Sequence, residues 1–288
     1  MVLHETWQSD RTRDEGVAAV GFRSEYDRDV AAAFRDHAPH SELVTEPDLA
    51  GVPPVVRRYL RFAGVVDRPR IWNYRLRFRG ELRNDENSPW MKMVADQQSF
   101  VDPAARFFLI RASMFALPVQ AYHRYVGPAA TFRVRVASLF TVVNAEGPEM
   151  NRSETVTLLN DMCLFAPSTL IDPGIVWEEL DPLTVRVTFT SAGNTVSAVL
   201  SFDESGALTG FVSDDRLRTA DGTTYEQLQW STPIRAWRAF DGRQLPAQAE
   251  AIWRRDDSEF AYARFELLGV EYNAAPTTEK SAVSAHLV

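Results

Sequence analysis

The chain has 288 residues, of which 45% are hydrophobic and 11% aromatic, values typical of a globular protein with a substantial buried core. Its formal net charge of −8 and its pI near 5.3 disfavour binding to the phosphate backbone of nucleic acids. Lysine chemistry such as Schiff-base formation would depend on Lys92 within the folded region, because the other lysine, Lys280, lies in the tail.

The first predicted elements are helices. Residues 1–23 are polar without a sustained period, and we expect them to pack loosely at most. Residues 27–37 predict a short helix. Pro54 suits the first turn of a second helix that carries Tyr59 and Leu60, and Gly64 is placed to end it.

From Ile71 onward the hydrophobic period changes to two. Tyr74, Leu76 and Phe78 alternate with arginines, which predicts a strand with one buried and one solvent face. Further strands are predicted at residues 90–100, 106–112 and 132–136. The aromatic-rich segment between residues 113 and 127, which includes Phe115, is predicted to be an irregular connection.

A central helix is predicted to begin after Gly147. Thr155, Leu158, Leu159 and Met162 fall at i, i+3, i+4 and i+7, which marks one apolar helical face. Pro167 lacks the backbone donor that a continuing helix needs, so the helix should end near residue 166.

The remaining chain is predicted to be mostly strands. A turn region centred on Trp177 follows the helix, and alternation then marks strands ending near Ser213. Later strands are predicted at residues 225–240, 245–254 and 260–272. Asp215 and Arg216 follow a strand end, where we expect turn and surface residues.

These periods predict an α+β protein, in which a helix is laid against an antiparallel sheet. The expected architecture is a large curved antiparallel sheet of about ten strands, or an incomplete barrel, with one or two helices packed across its concave side. We divide the chain into an N-terminal extension with a short helix (1–45), a single curved-sheet domain (46–273) and a disordered tail (274–288).

Several of these segments resemble segments of a known protein family. Leu158-Leu159-Asn160-Asp161-Met162, Ala166-Pro167, Trp177, Asp181 and the stretch from Gly242 through Glu250 to Trp253 resemble a bacterial family of uncharacterised proteins, over residues 45–272. Many of its members look membrane-tethered at the N-terminus, and this chain departs from that pattern. By element order the chain also looks like the lipoprotein-carrier fold, a half-barrel, which implies a bowl that holds acyl chains.

The residues also bear on compartment and cofactors. Cys163 is the sole cysteine, so an internal disulfide is excluded and a reducing compartment is favoured. The N-terminal residues lack the pattern of a secretory signal, and no apolar window has the length of a membrane span. We therefore expect a cytoplasmic protein. Nucleotide-binding and metal-binding motifs are absent, so we expect no cofactor and no metal.

Three residues are the candidate catalytic groups. Tyr122 and His123 lie in the segment predicted to be irregular, and an imidazole there is either a general acid or base or a structural hydrogen-bonding group. Asp161 lies in the last turns of the central helix, where a carboxylate opposes the helix dipole and needs a partner. It is either a desolvated acid or base facing a pocket or an ion-pair partner of an arginine.

The candidate substrate-binding residues are mainly aromatic. They are Tyr125, Phe165, Trp230, Trp253 and, as an inward carboxylate, Glu250. Tryptophans in this fold either line a hydrophobic cavity or fill the core, and the sequence leaves both readings open.

Two functions follow from a curved sheet around an apolar cavity. The first is a cofactor-independent enzyme, such as a cyclase or isomerase of a polyketide- or terpenoid-like substrate, in which the cavity folds the substrate into a reactive conformer. The second is a carrier or binding protein for a lipid or other hydrophobic ligand. A structural module with a filled core is a third possibility. The sequence does not predict the oligomeric state.

Overall fold

The computed structural model describes residues 21–39, 41–114, 117–137, 139–255 and 257–276. The α-helices of this part are α1 (Phe22–Asp36), α2 (Pro54–Phe62) and α3 (Pro148–Phe165). The strands are β1 (Asn73–Leu82), β2 (Met91–Phe100), β3 (Ala105–Met114), β4 (Leu117–Val126), β5 (Ala129–Val136), β6 (Phe140–Glu146), β7 (Val176–Asp181), β8 (Thr184–Ser191), β9 (Asn194–Phe202), β10 (Leu208–Ser213), β11 (Leu217–Arg218), β12 (Glu226–Gln227), β13 (Gln229–Ser231), β14 (Ile234–Phe240), β15 (Arg243–Arg254) and β16 (Glu259–Tyr272). Short 3-10 helices lie at Glu46–Gly51 and Pro167–Ile171.

Among the described residues, fourteen strands form one open antiparallel sheet. Its order is β6-β5-β4-β3-β2-β1-β16-β15-β13-β10-β9-β8-β7, with β14 also paired to β15, and β11 pairs with β12 separately. The predicted fold class, an α+β protein built on a large antiparallel sheet that does not close, is confirmed. The expected number of about ten strands was too low.

Helix α3 joins the two edges of this sheet. It follows β6, contacts β5, β9 and β15, and leads through the second 3-10 helix to β7. Thirteen of its eighteen residues are buried, including polar ones, so its apolar residues are not confined to the single predicted stripe. Pro148 lies in its first turn, and the helix ends at Phe165, two residues before Pro167, as predicted.

Two tyrosines fasten the end of α3. The Tyr59 hydroxyl, on α2, donates to the carbonyl oxygen of Cys163 at 2.5 Å. The Tyr272 hydroxyl, at the end of β16, donates to that of Phe165 at 2.6 Å. These bonds satisfy carbonyl groups that a helix C-terminus leaves without partners inside the helix. We call the sheet face covered by α2 and α3 the inner face.

Helix α1 packs on the opposite, outer face. Phe22, Tyr26 and Phe34 form a second hydrophobic cluster with residues of β2, β3 and β4, among them Phe100 and Tyr122. The helix begins at Phe22, earlier than the predicted residue 27. The sheet is therefore covered by helices on both faces over β2 to β4.

Residues 1–20, and residues 277–288 of the predicted tail, lie outside the described residues, and the predicted domain limits stay predictions.

Three local predictions were wrong. Most of the segment predicted to be irregular at 113–127 is strand β4, although Phe115 lies outside the described residues. Tyr122 and Tyr125 are both fully buried, on opposite faces, so the alternation of a half-exposed strand is missing. The turn region at Trp177 is the edge strand β7, whose residues are mostly exposed on both faces. The long strand predicted at 225–240 is divided into β12, β13 and β14.

Candidate functional site

The inner face of β2 to β5 is built of rows of directly paired residues. Because alternate residues of a strand share a face, the register fixes which side chains lie side by side. The first row is Ser99, Arg106, Tyr125 and Ala130, the second is Gln97, Phe108, His123 and Phe132, the third is Ala95, Ile110, Ala121 and Val134, and the fourth is Met93, Ala112, Val119 and Val136. Helix α3 lies over the first two rows.

A buried charge cluster joins α3 to these rows. Arg106 Nε donates to Asp161 Oδ2 at 2.6 Å, and its Nη1 donates to Glu154 Oε2 at 3.2 Å. Gln97 Nε2 also donates to Asp161 Oδ2, at 2.8 Å. The side chains of Arg106 and Glu154 are 4% and 0% exposed. Asp161 is thus the buried ion-pair partner of an arginine, one of the two alternatives that the sequence left open, and its role as an acid or base stays a prediction.

The pKa values of the two carboxylates in this cluster are shifted in opposite directions. Burial raises the pKa of Asp161, and its contacts with Arg106 and Gln97 do not fully offset that effect. Burial also acts to raise the pKa of Glu154, but His123 and Arg106 together lower it to about 2. Glu154 is therefore ionised at neutral pH, and it can only accept hydrogen bonds.

His123 is oriented by this ionised carboxylate. Its Nδ1 lies 2.9 Å from Glu154 Oε1, and its ring stacks on Phe132 with centroids 4.1 Å apart. Burial lowers the pKa of His123 more than Glu154 raises it, so the ring is neutral at pH 7. Since Nδ1 must then carry the proton that Glu154 accepts, Nε2 presents a lone pair. No described residue makes a hydrogen bond to Nε2, and the side chain is 13% exposed.

Beyond His123 the inner face is apolar. The third and fourth rows contain only alanine, valine, isoleucine and methionine side chains, and we call these eight residues the inner trough. Ala112, Val119, Val134 and Val136 are partly exposed. The other four are buried. An apolar lining with a few polar groups is the composition typical of a small-molecule site.

Arg216 borders the polar end of the trough. The side chain is half-buried, and its Nε donates to Thr157 Oγ1 on α3 at 3.2 Å. Its guanidinium carbon lies 4.7 Å from the centroid of the Trp230 ring and 5.0 Å from that of Trp253. Thr157 lies one turn of α3 from Glu154, which places Arg216 close to the charge cluster. The positive charge of Arg216 acts to lower the pKa of both Glu154 and His123.

The structure brings several of the predicted site residues together. His123 and Asp161 belong to the charge cluster, and Tyr125 lies beside it, with its hydroxyl 3.2 Å from Thr155 Oγ1. Trp230 and Trp253 flank Arg216.

Three predicted site residues lie elsewhere. Tyr122 faces the outer side under α1, where its hydroxyl donates to Asp29 Oδ2 at 2.9 Å. Glu250 is also on the outer face, where Arg235 Nε donates to it at 2.8 Å. Phe165 packs in the core, 5.5 Å from the ring of Phe78.

Four residues of the site were missed by sequence reasoning. They are Gln97, Arg106, Glu154 and Arg216. Arg106 and Arg216 are two of many arginines, and no period distinguishes an inward one from a surface one. Glu154 carried a usable signal, because it precedes Asp161 by seven residues, two helical turns, and so shares its face.

The chain is similar to one family model and to several solved structures. A model of a family of unknown function (DUF6544) matches residues 42–265. The search of curated proteins finds no match. A DUF1329 family protein from Desulfovibrio piger has 11% identity and a TM-score of 0.42, over 76% of this chain and 91% of that chain. A putative outer membrane lipoprotein-sorting protein domain from Vibrio parahaemolyticus has 11% identity and a TM-score of 0.37, over 69% and 85% of the two chains.

A third solved structure is a β-barrel-like protein of the domain of unknown function DUF1849 from Brucella abortus. It has 11% identity and a TM-score of 0.26, over 70% of this chain and 98% of that chain. None of the helices in the described part of the chain combines the length and apolar character needed to cross a membrane.

Proposed function

This chain belongs to the DUF6544 family of unknown function, and we propose that it binds a hydrophobic small molecule or lipid in the inner trough. The observation that carries the proposal is the pair of apolar rows beyond His123, four of whose eight side chains are partly exposed. An apolar ligand that covers such a surface removes it from water, which stabilises the complex by roughly 25 cal/mol for each Å² of apolar surface buried. The charge cluster and α3 close one end, so a ligand would enter from the side of Val119 and Val136.

A pair of valines on opposite faces of the sheet tests this location. Val134 belongs to the inner trough, whereas Val94 is 44% exposed and points to the outer face. We expect Val134→Asp to weaken binding of an environment-sensitive apolar fluorophore by about tenfold or more, because a carboxylate must be desolvated there. Val94→Asp should leave the affinity unchanged.

Thermal unfolding of both variants provides the control for folding. Binding that survives Val134→Asp in a folded protein, or that is lost on Val94→Asp, would contradict the location in the trough. The second outcome would instead favour the outer groove that contains Val94, Arg79 and Arg264.

A second candidate function is a cofactor-independent isomerase or cyclase acting on a hydrophobic substrate. The specific observation that favours it is the His123–Glu154 pair, which leaves a lone pair on Nε2 beside the trough. Native mass spectrometry of a bound molecule before and after incubation separates the two functions. A carrier releases its ligand chemically unchanged, whereas an enzyme releases a product, and His123→Gln would abolish that conversion.

A further inference from the structure

Arg216 has features of a site for an anionic group. We propose that its guanidinium binds the carboxylate of the ligand, so that the ligand is an apolar carboxylic acid, of which a fatty acid is the simplest example. This inference rests on the proposed function, since it assigns the polar end of a molecule whose apolar body lies in the inner trough.

The first argument is that Arg216 makes no direct ion pair, although its charge acts on the nearby carboxylate of Glu154. In the described part of the chain, no aspartate or glutamate oxygen lies within 4 Å of its nitrogens, and its Nη1 and Nη2 make no hydrogen bond. Arg106, by contrast, is paired with both Glu154 and Asp161. A half-buried guanidinium with four unused N–H donors is incompletely satisfied, and a carboxylate accepts two of them in parallel.

The second argument is that Arg216 is held in a fixed orientation. Thr157 binds its Nε, and the Trp230 and Trp253 rings lie within 5.0 Å of its guanidinium carbon. Aromatic faces stabilise a guanidinium without neutralising its charge. The group is therefore positioned in advance, which lowers the entropy lost when an anion binds.

The third argument is the geometry between charge and trough. Arg216 binds Thr157, which lies one turn of α3 from Glu154, and Glu154 in turn binds His123. His123 lies four residues from Val119 along β4. At about 3.3 Å per residue, the apolar rows extend roughly 13 Å from the polar end. That length fits a medium-length acyl chain with its carboxylate at Arg216.

The test compares an acid with a neutral molecule of the same chain length. In isothermal titration calorimetry at pH 8, we expect the wild-type protein to bind dodecanoate about 10- to 100-fold more tightly than dodecanol, the range expected for hydrogen bonds to a charged group. Arg216→Gln should remove this preference by weakening dodecanoate binding alone. Arg216→Lys, which keeps the charge but not the paired donors, should retain part of it.

Arg264→Gln is the matched control. Arg264 also lies over a tryptophan, Trp90, at 4.4 Å, but on the outer face of the sheet. The Arg264→Gln variant should bind dodecanoate and dodecanol with wild-type affinity. A loss of dodecanoate binding in this variant would overturn the assignment of the carboxylate site to Arg216.

The outcomes separate this inference from the proposed function. Equal affinities of the wild-type protein for the acid and the alcohol would overturn the role of Arg216 while leaving the hydrophobic site intact, as would an unchanged preference in Arg216→Gln. Failure of both molecules to bind would overturn both proposals. The wild-type comparison holds whether or not the Arg216 variants fold.

Discussion

The burial of Arg106, Glu154 and Asp161 has a high desolvation free energy. Two carboxylates share one guanidinium away from water, and such clusters contribute little net stability because desolvation offsets their attraction. Their geometric effect is clearer: the paired charges fix α3 over the first two rows of the sheet. Burial keeps His123 neutral, while Glu154 binds its Nδ1 and no described residue binds its Nε2.

The neutral state of buried His123 predicts a pH dependence of stability. Its pKa in the folded protein lies below the ordinary value near 6.5, so below pH 6.5 the unfolded chain takes up a proton that the folded chain does not. The contribution of neutral His123 to the free energy of unfolding is fully present above pH 6.5. It is lost as the pH falls toward the pKa of His123 in the folded protein. The slope for one proton is at most about 1.4 kcal/mol per pH unit.

Urea unfolding of the wild-type protein and of His123→Gln between pH 8 and pH 5 measures this effect. The difference between the two free energies of unfolding should stay constant above pH 7 and change in favour of the variant below pH 6.5. Parallel curves over the whole range would mean that His123 takes up its proton equally in both states.

Sequence reasoning found only part of this site, for reasons specific to each residue. His123 was chosen because its segment was predicted to be an irregular connection, although it is strand β4. Asp161 was chosen because a carboxylate in the last turns of a helix needs a partner. Arg106 could not be chosen among so many arginines, since its inward direction depends on the register of β3 against β2 and β4. Arg216 follows a strand end, where alternation no longer predicts direction.

At the level of elements, the last turn of α3 is stabilised by hydrogen bonds from the hydroxyl groups of Tyr59 and Tyr272, which lie in distant segments of the chain. Removing the Tyr272 hydroxyl by Tyr272→Phe leaves the Phe165 carbonyl oxygen without that donor. We expect a loss of about 1–2 kcal/mol in the free energy of unfolding. Hydrogen exchange should also become faster in the last turn of α3.

Tyr225→Phe is the matched control for this prediction. The Tyr225 hydroxyl is buried but has no hydrogen-bond partner in the described part of the chain, so its removal should be neutral or slightly stabilising. Equal losses in both variants would show that ring packing, and not the bond to α3, accounts for the effect.

The elements that the sequence predicted well are those with a local signal. Pro54, Pro148 and Pro167 mark helix ends directly, and α2 and α3 follow them closely. Strands β4 and β7 were missed for opposite reasons. β4 has buried residues on both faces and β7 has exposed residues on both, so neither alternates.

For the whole molecule, the open antiparallel sheet followed from alternation, but its order did not. The central contact pairs β1 with β16, so that Tyr74 lies opposite Tyr272, nearly the full length of the domain apart in sequence. No local pattern specifies such a pairing, which depends on the packing of the whole inner face. The expected cytoplasmic location likewise stays a prediction.

The first and last strands of the main strand order, β6 and β7, are protected to different degrees. On β6, Phe140 and Val142 are 66% and 53% exposed beside unpaired backbone groups. On β7, Val176 is 64% exposed, but it is followed by Glu178, Glu179 and Asp181. Charged side chains hinder edge-to-edge pairing, whereas an apolar edge promotes it. We therefore expect any self-association at high protein concentration to proceed through β6.

Lysine substitutions at the two edges test this expectation. Val142→Lys should reduce concentration-dependent association, measured by sedimentation velocity, because a buried ammonium would oppose pairing at that edge. Val176→Lys should have a much smaller effect, since β7 already carries three carboxylates. Both sites are exposed, so the thermal unfolding of both variants should match the wild-type protein. Association that persists in Val142→Lys but disappears in Val176→Lys would assign the contact to β7 instead.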